Sequence, residues 1–376
     1  MNILDSAIRD AGAAAYVVYG SSADADMRYL TRFRTTDPVV YVKRPDERGI
    51  LVIPQMEYER AVRESSAAVI TRADAGYLEY LKAGEPLWRA TAHMIADLAA
   101  GPALVPATFP LALARELESF HPVILDVAGT VGGMRAVKTP DELEQIRAVQ
   151  RATEAAMDRG IALIRDSTPK AGILHRNGQP LTAETVRAEM HIHLLTNGCR
   201  GADTIVSCGP DTALPHNQGS GPLLENEPIV IDIFPQHELT GYYADMTRTV
   251  VKGEPTSAIQ EMYEAVREAK ALSASHIRAG APGSDLYTAV VDFFHDRGYE
   301  SGTQGFVHSL GHGVGLEVHE EPSLGPKGGA LVAGNVITIE PGLYYPGTGG
   351  VRLEDMGAVT ETGFDRFTKY EERLII

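Results

Sequence analysis

Residues 227–251 read EPIVIDIFPQHELTGYYADMTRTVV, two apolar, β-branched runs separated by a turn-rich middle. The composition predicts strands at Pro228–Phe234 and Tyr242–Val251. Each run carries an acid where the pattern calls for an apolar residue: Asp232 in the first, and Asp245 thirteen residues later in the second. An ionised carboxylate buried without a partner costs several kcal/mol or becomes protonated. Paired as hairpin neighbours, the two acids would also repel each other, so the stretch calls for a positive charge between them.

Two further segments repeat the theme. NVITIE (335–340) ends in Glu340 just before the turn Pro341-Gly342, and GGVRLEDMG (349–357) carries Glu354. Strands are expected at Asn335–Glu340 and Val351–Met356, which puts all four acids at strand positions beside β-branched residues. His312, in the glycine-dense HSLGHGVGLEVHEE (308–321), adds a nitrogen donor. Four carboxylates and one imidazole form a hard, oxygen-dominated set, suited to two divalent ions: Mn²⁺ or Co²⁺ first, with Zn²⁺ or Fe²⁺ as alternatives. Such a pair lowers the pKa of a shared water and stabilises the oxyanion formed when that water attacks a carbonyl. Taken singly, each residue has a structural explanation: Asp232 or Asp245 as a strand-end acid or a partner of Arg248, Glu340 as a residue before a turn, His312 as a turn or core histidine. Taken together and in this order, they favour a metal centre.

Other catalytic patterns do not hold. HELTG at 237 lacks the second histidine of a zinc-protease helix, GHGVG at 311 lacks the strand-to-helix setting of a phosphate loop, and no GxSxG nucleophile elbow occurs.

A chain of 376 residues exceeds what one hydrophobic core usually supports. In the first 127 residues, strands are expected at Ala15–Tyr19, Val39–Val42, Ile50–Ile53, Ala67–Ile70 and Pro122–Leu125. Helices are expected at Glu57–Glu64, Gly76–Leu81, Leu87–Ala99 and Leu111–Ser119, which together make a small α/β domain without a cluster of metal-binding residues. The glycine-rich AGTVGGM (128–134) reads as a boundary. Thr139-Pro140-Asp141-Glu142 then opens a helix as a capping box with proline at the first position, followed by Leu143, Ile146 and Val149 at helical spacing. Later helices are expected at Ala183–Thr196, Ala258–Arg278 and Ser284–Arg297.

The net charge of −16 and pI near 5.2 disfavour nucleic-acid binding. Only two cysteines, Cys199 and Cys208, occur, which suits a reducing compartment. Charges at Asp5, Arg9 and Asp10 interrupt any signal-like apolar run, and no segment reaches the roughly 20 apolar residues of a membrane span. A cytoplasmic protein without membrane attachment is expected.

The ordered set Asp232, Asp245, His312, Glu340 and Glu354, with the phrases ADMTRT, GHGVGLEVHE, TIEPGLY and VRLEDM, resembles the pita-bread metallopeptidases, which include Xaa-Pro aminopeptidases, prolidases and methionine aminopeptidases. The resemblance covers residues 128–376, and residues 1–127 look like the amino-terminal domain of the creatinase, prolidase and Xaa-Pro aminopeptidase branch. It implies an α/β N-terminal domain (1–127) followed by an α+β C-terminal domain (128–376) of the pita-bread, or creatinase/aminopeptidase, fold. It further implies that Asp232 holds one metal, Asp245 and Glu354 bridge both, and His312 and Glu340 bind the second, with Glu340 also the general base. By the same resemblance His216 (in LPHN), His308 and His319 bind substrate or pass a proton, Arg352 supports a metal ligand from behind, and the protein is a homodimer.

The implied activity is hydrolysis of the Xaa-Pro bond at peptide amino termini by a metal-bridged hydroxide. Two departures bear on it. The stretch from Asp232 to Asp245 is two residues longer than the common pattern, with Phe234 at a usual glycine, so a longer loop is expected and a shifted register would turn Asp245 away. Ser323 stands where prolidases acting on dipeptides often carry arginine, which tilts the expectation towards an aminopeptidase accepting longer peptides. A strict Xaa-Pro dipeptidase, a hydrolase of a non-peptide amide, the metal-free creatinase type and a non-catalytic binding module are the alternatives.

Overall fold

The computed structural model describes residues 3–376, and the chain divides into two compact units between Arg135 and Ala136. In the first unit, six strands form one mixed sheet in the order Ala68–Thr71, Ile50–Ile53, Val39–Lys43, Ala15–Gly20, Ala103–Val105, Val123–Leu125. Strand alternation sends Val17, Val40, Val42 and Val52 to one face, under the helix Leu87–Ala99. Tyr16, Val18, Tyr41 and Leu51 go to the other, under Leu4, Ile8 and Met27. Both faces are therefore covered, as a sheet with parallel pairs requires. The glycine-rich segment 128–134 enters a helix, Thr130–Ala136, which ends at that division. Asp126 starts it by accepting from Thr130 N (2.8 Å) and Thr130 Oγ1 (3.1 Å), and Val131 buries its side chain.

The second unit begins with the 26-residue helix Pro140–Arg165, whose capping box between Thr139 and Glu142 is formed. The helix Ala183–Thr196 crosses it at Gly160, where a Cβ would meet Met190 Sδ at 2.6 Å. The helices Ser257–His276 and Gly283–Asp296 pack Met262, Val266, Leu286, Val290 and Phe294 into a core shared with Ile337, Ile339, Leu343 and Val351.

Its sheets set up the site. Pro228–Ile233 lies between Ile205–Cys208 and Met246–Val251, antiparallel to both, with Asp232 opposite Ile205 on one side and Thr247 on the other. Tyr242–Asp245 is not part of the strand; the extra residues fold back as Gln236–His237, paired with Cys199–Arg200, and Asp245 sits just before Met246. The strand expected over Val351–Met356 is broken in two, Gly349–Arg352 and Asp355–Val359, because the chain changes partners there. Gly349–Arg352 pairs with Gly342–Tyr345, whereas Asp355–Val359 pairs with Val336–Ile339. Glu340 and Glu354 occupy the two facing gaps between these ladders. Only Asp232 of the four acids lies within a strand, a correction to the uniform strand placement expected above. Among the described residues, no helix is long and apolar enough to cross a membrane.

Candidate metal centre

One cavity of about 430 Å³ in the second unit is lined by all nine residues singled out in the sequence: His216, Asp232, Asp245, His308, His312, His319, Glu340, Arg352 and Glu354. The tightest group is Asp245, His312 and Glu354, with one ligand-capable atom of each within 4.8 Å of the others. Glu340 adjoins it, its Oε1 lying 3.4 Å from His312 Nε2, while Asp245 Oδ2 is 3.7 Å from the same nitrogen. The longer loop after Asp232 has not turned Asp245 away from the cavity, and Phe234 lines the wall.

Arg352 organises the side nearest Asp232. It is 3% exposed, which excludes a plain surface arginine. Its Nη2 donates to Asp232 Oδ2 (2.7 Å), its Nη1 to Tyr344 OH (2.7 Å), and its Nε to Thr247 Oγ1 (3.2 Å). Thr247 Oγ1 in turn donates to Glu354 Oε2 (2.9 Å). One oxygen of Asp232 and one of Glu354 are thereby held by donors within the protein. Asp232 Oδ1, Asp245 Oδ1 and Glu354 Oε1 are buried and reached by no donor among the described residues. Buried acceptors without donors are rare in folded proteins, and three aimed into one cavity beside an imidazole nitrogen form the donor set of a divalent cation.

Electrostatics give the same answer. Burial first, then repulsion from Glu354, Asp232 and Glu340, pushes Asp245 well above the usual carboxylate range. Burial and Glu354 raise Glu340 well above its usual value, and burial and Asp232 lift Glu354 to about 8. A bound cation removes that repulsion and restores the charged forms. His312 is held neutral, its pKa lowered to about 3 by burial and by His319. Its Nδ1 faces Gly313 O (3.1 Å), so the proton belongs on Nδ1 and Nε2 presents its lone pair to the acids, the tautomer a metal needs. The residues present therefore fit a metal centre.

The other histidines divide. His308 has Nδ1 on Ser309 O (2.7 Å) and Nε2 on Tyr344 OH (2.9 Å), so both ring nitrogens are engaged within the protein; burial and Arg352 lower its pKa to about 4. His319 packs edge-on to His312 with ring centroids 4.2 Å apart, and burial and His216 lower its pKa. His216 is exposed at the cavity wall.

Tyr344 and Thr247, which join Arg352 to His308 and Glu354, were not among the residues drawn from the sequence. The phrases TIEPGLY and ADMTRT contain them, but their hydroxyls acquire meaning only once the broken strands bring positions 247, 344 and 352 together.

Comparison with known proteins agrees with this architecture. Residues 144–361 match the model of metallopeptidase family M24, and residues 2–137 match the creatinase/prolidase N-terminal domain. The Xaa-Pro dipeptidase of Pyrococcus furiosus is 31% identical over 341 residues, 89% of this chain and 88% of that one. Among solved structures, the prolidase from Pyrococcus horikoshii superposes with a TM-score of 0.82 at 27% identity, covering 99% of each chain. The X-Pro aminopeptidase from Thermotoga maritima gives 0.81 at 26%, covering 99% of this chain and 100% of that one. With the family model spanning more than half of its length and the cavity carrying a cluster able to coordinate metal, the chain belongs to metallopeptidase family M24, with a creatinase/prolidase-type N-terminal domain and a pita-bread catalytic domain.

Proposed function

We propose that this enzyme hydrolyses the peptide bond preceding proline and that Xaa-Pro dipeptides are its preferred substrates. The observation that carries the hydrolytic reading is the convergence of Asp245, His312 and Glu354, with open carboxylate oxygens on Asp232, Asp245 and Glu354. Preference for dipeptides draws support from the relatives, two of them named Xaa-Pro dipeptidases at 31% identity over 89% of this chain.

Asp232, Asp245, His312, Glu340 and Glu354 would hold two divalent ions, manganese or cobalt. Bound there, the ions supply an acidified water and a polarised scissile carbonyl. Glu340, whose Oε1 lies 3.4 Å from His312 Nε2 at the edge of the acid cluster, accepts the water proton at its carboxylate. His319 and His216 face the substrate and relay the proton taken up by Glu340 to the departing proline nitrogen, while His308, held at both nitrogens, stiffens the wall with Tyr344 and Arg352. Apolar Ile205, Pro215, Phe234 and Val318 share the remainder of the wall with polar Asp203, Gln218 and Ser309, and suit the proline ring.

A second reading, an aminopeptidase for longer Xaa-Pro peptides, is favoured by Ser323 at the place of a carboxylate-gripping arginine. Free Cys199 and Cys208 support a cytoplasmic location, and a homodimer follows from the resemblance. The test is a panel of Xaa-Pro dipeptides, Xaa-Pro-Yaa tripeptides and proline-free controls, assayed with Mn²⁺, Co²⁺ and Zn²⁺. Dipeptides turned over faster than tripeptides, with proline-free controls inert, is the expected result. Faster tripeptide cleavage selects the second reading, and inert Xaa-Pro peptides with every metal discard both in favour of another amide or a binding role.

A further inference from the structure

The segment that opens the long helix of the second unit carries a buried charge for which the peptidase chemistry has no use. Lys138 directly precedes the capping residue Thr139; its side chain is 1% exposed, and its Nζ lies 2.6 Å from Oε1 of Glu320, itself 4% exposed. Buried ion pairs add little net stability, because the desolvation of both charges offsets their attraction, and well-packed apolar pairs of similar size do as well or better. Stability alone is therefore a poor account of this pair, and its location suggests another.

Glu320 follows His319 and begins the strand Glu320–Ser323, which pairs with His312–Gly313 so that Gly313 stands opposite Glu320. It thus closes the turn that carries two imidazoles of the site. Its carboxylate is seated against Gly315 within that turn, where a Cβ would meet Oε1 at 2.3 Å, so glycine is required for the carboxylate to lie there. At the other end Lys138 is fixed through its backbone. Its N–H donates to Gly334 O (2.9 Å), and Asn335 Nδ2 donates to Ala136 O (2.8 Å), on the approach to the strand Val336–Ile339 that ends at Glu340. The same helix start reaches the remaining acid side of the site. Glu142 accepts from Tyr242 OH (2.6 Å), and Tyr243 N donates to Gly315 O (2.8 Å), both just ahead of Asp245.

We propose that Lys138 and Glu320 are a positioning pair: the ammonium anchors the Glu320 carboxylate against Gly315 and so sets the turn 312–320, keeping His312 directed at the acids and His319 at the cavity. Neither residue touches substrate. The kinetic part of the proposal rests on the peptidase reading, whereas its metal-binding part does not.

The experiment compares the wild type with Lys138→Met, Glu320→Gln, the double variant Lys138→Met/Glu320→Met, and Gly315→Ala, by thermal melting, Mn²⁺ calorimetry and steady-state kinetics on Gly-Pro. Each single charge removal lowers Tm. The double variant, which removes both charges of the pair together, regains Tm relative to the single variants, yet binds Mn²⁺ about tenfold or more weakly and loses kcat by a similar factor with KM little changed. Gly315→Ala keeps both charges but pushes the carboxylate off its seat, and shows the same loss; it decides the matter if the double variant does not fold. A double variant or Gly315→Ala protein with wild-type Mn²⁺ affinity and kcat overturns the proposal and leaves the pair a purely structural feature. If the wild type binds Mn²⁺ but leaves Gly-Pro intact, the substrate reading falls while the calorimetry still decides the role of the pair.

Discussion

Arg352 holds one oxygen of Asp232, Nη2 to Oδ2 at 2.7 Å, and leaves the other, Oδ1, buried with no donor among the described residues. The guanidinium thus presents Asp232 to the cavity in one orientation while its second arm supports Tyr344. Replacing Arg352 by Lys keeps a positive charge but loses the planar fork that serves Asp232, Tyr344 and Thr247 together. The Lys variant is expected to lose about 10- to 100-fold in Mn²⁺ affinity and a comparable factor in kcat/KM. Calorimetry and kinetics on an Xaa-Pro dipeptide check this, and wild-type values for Lys would show that charge alone suffices.

Glu340→Gln keeps the size and a hydrogen-bonding oxygen of the side chain but cannot take a proton. A fall in kcat of about 10²- to 10⁴-fold, with the circular-dichroism spectrum unchanged, is expected. Turnover within a factor of a few of wild type would remove Glu340 from the role of base.

Metal removal has a pH signature. With the ions chelated, the folded-state pKa of Glu354 is raised to about 8, whereas an unfolded glutamate titrates near 4.3. The folded state then binds more protons than the unfolded state between those values, so stability falls as pH rises across that window. The metal-free protein should melt at a lower temperature at pH 8 than at pH 5. Mn²⁺ should raise Tm and abolish that slope, with protons released on binding. Equal melting temperatures of the chelated protein at the two pH values would contradict the buried, crowded carboxylates described here.

Behind the site, Asp355 accepts from Arg248 Nη2 (2.9 Å) and Lys270 Nζ (2.6 Å), and Arg248 also donates to the backbone oxygen of Glu354 (2.6 Å). Burial opposes the charged form of Asp355, but Lys270 and Arg248 more than offset it and hold the carboxyl below its usual value. Its contribution to stability is present above the unfolded pKa of about 3.9 and is lost as pH falls through the lower folded value. Asp355→Asn leaves buried Arg248 without its anion and Lys270 with Glu372 alone (2.7 Å), and should destabilise by about 3–5 kcal/mol at pH 7. In denaturant titrations, the gap from wild type should narrow below about pH 4; a constant gap would assign the loss to packing instead.

The parts of the fold legible in the sequence are those decided by neighbouring residues. Thr139 and Glu142 announce a helix start within four positions, and that capping box is present. Asp232 stands out because an ionisable group interrupts a run of β-branched residues, and it lies inside a strand as expected. What could not be read depends on distant partners. Glycines at 129, 132 and 133 mark a boundary but gave no sign of the helix Thr130–Ala136, where Asp126 accepts from Thr130 N and Val131 buries its side chain. VRLEDM reads as one strand, and only exchange of partners between Gly342–Tyr345 and Val336–Ile339 splits it at Leu353-Glu354. Tyr344 gave no local sign of its place between His308 and Arg352, because its alternation within a short strand does not reveal what the facing residues are.

That split has a further consequence. Glu340 and Glu354 project from points where neither ladder continues, so exchanging either side chain interrupts no run of interstrand main-chain pairing. For these two acids, main-chain pairing and reactivity are carried by separate positions along the chain. A descendant that exchanged Glu340 and Glu354 would cease to be an enzyme and still pair its strands in the same way, open to recruitment for an unrelated task.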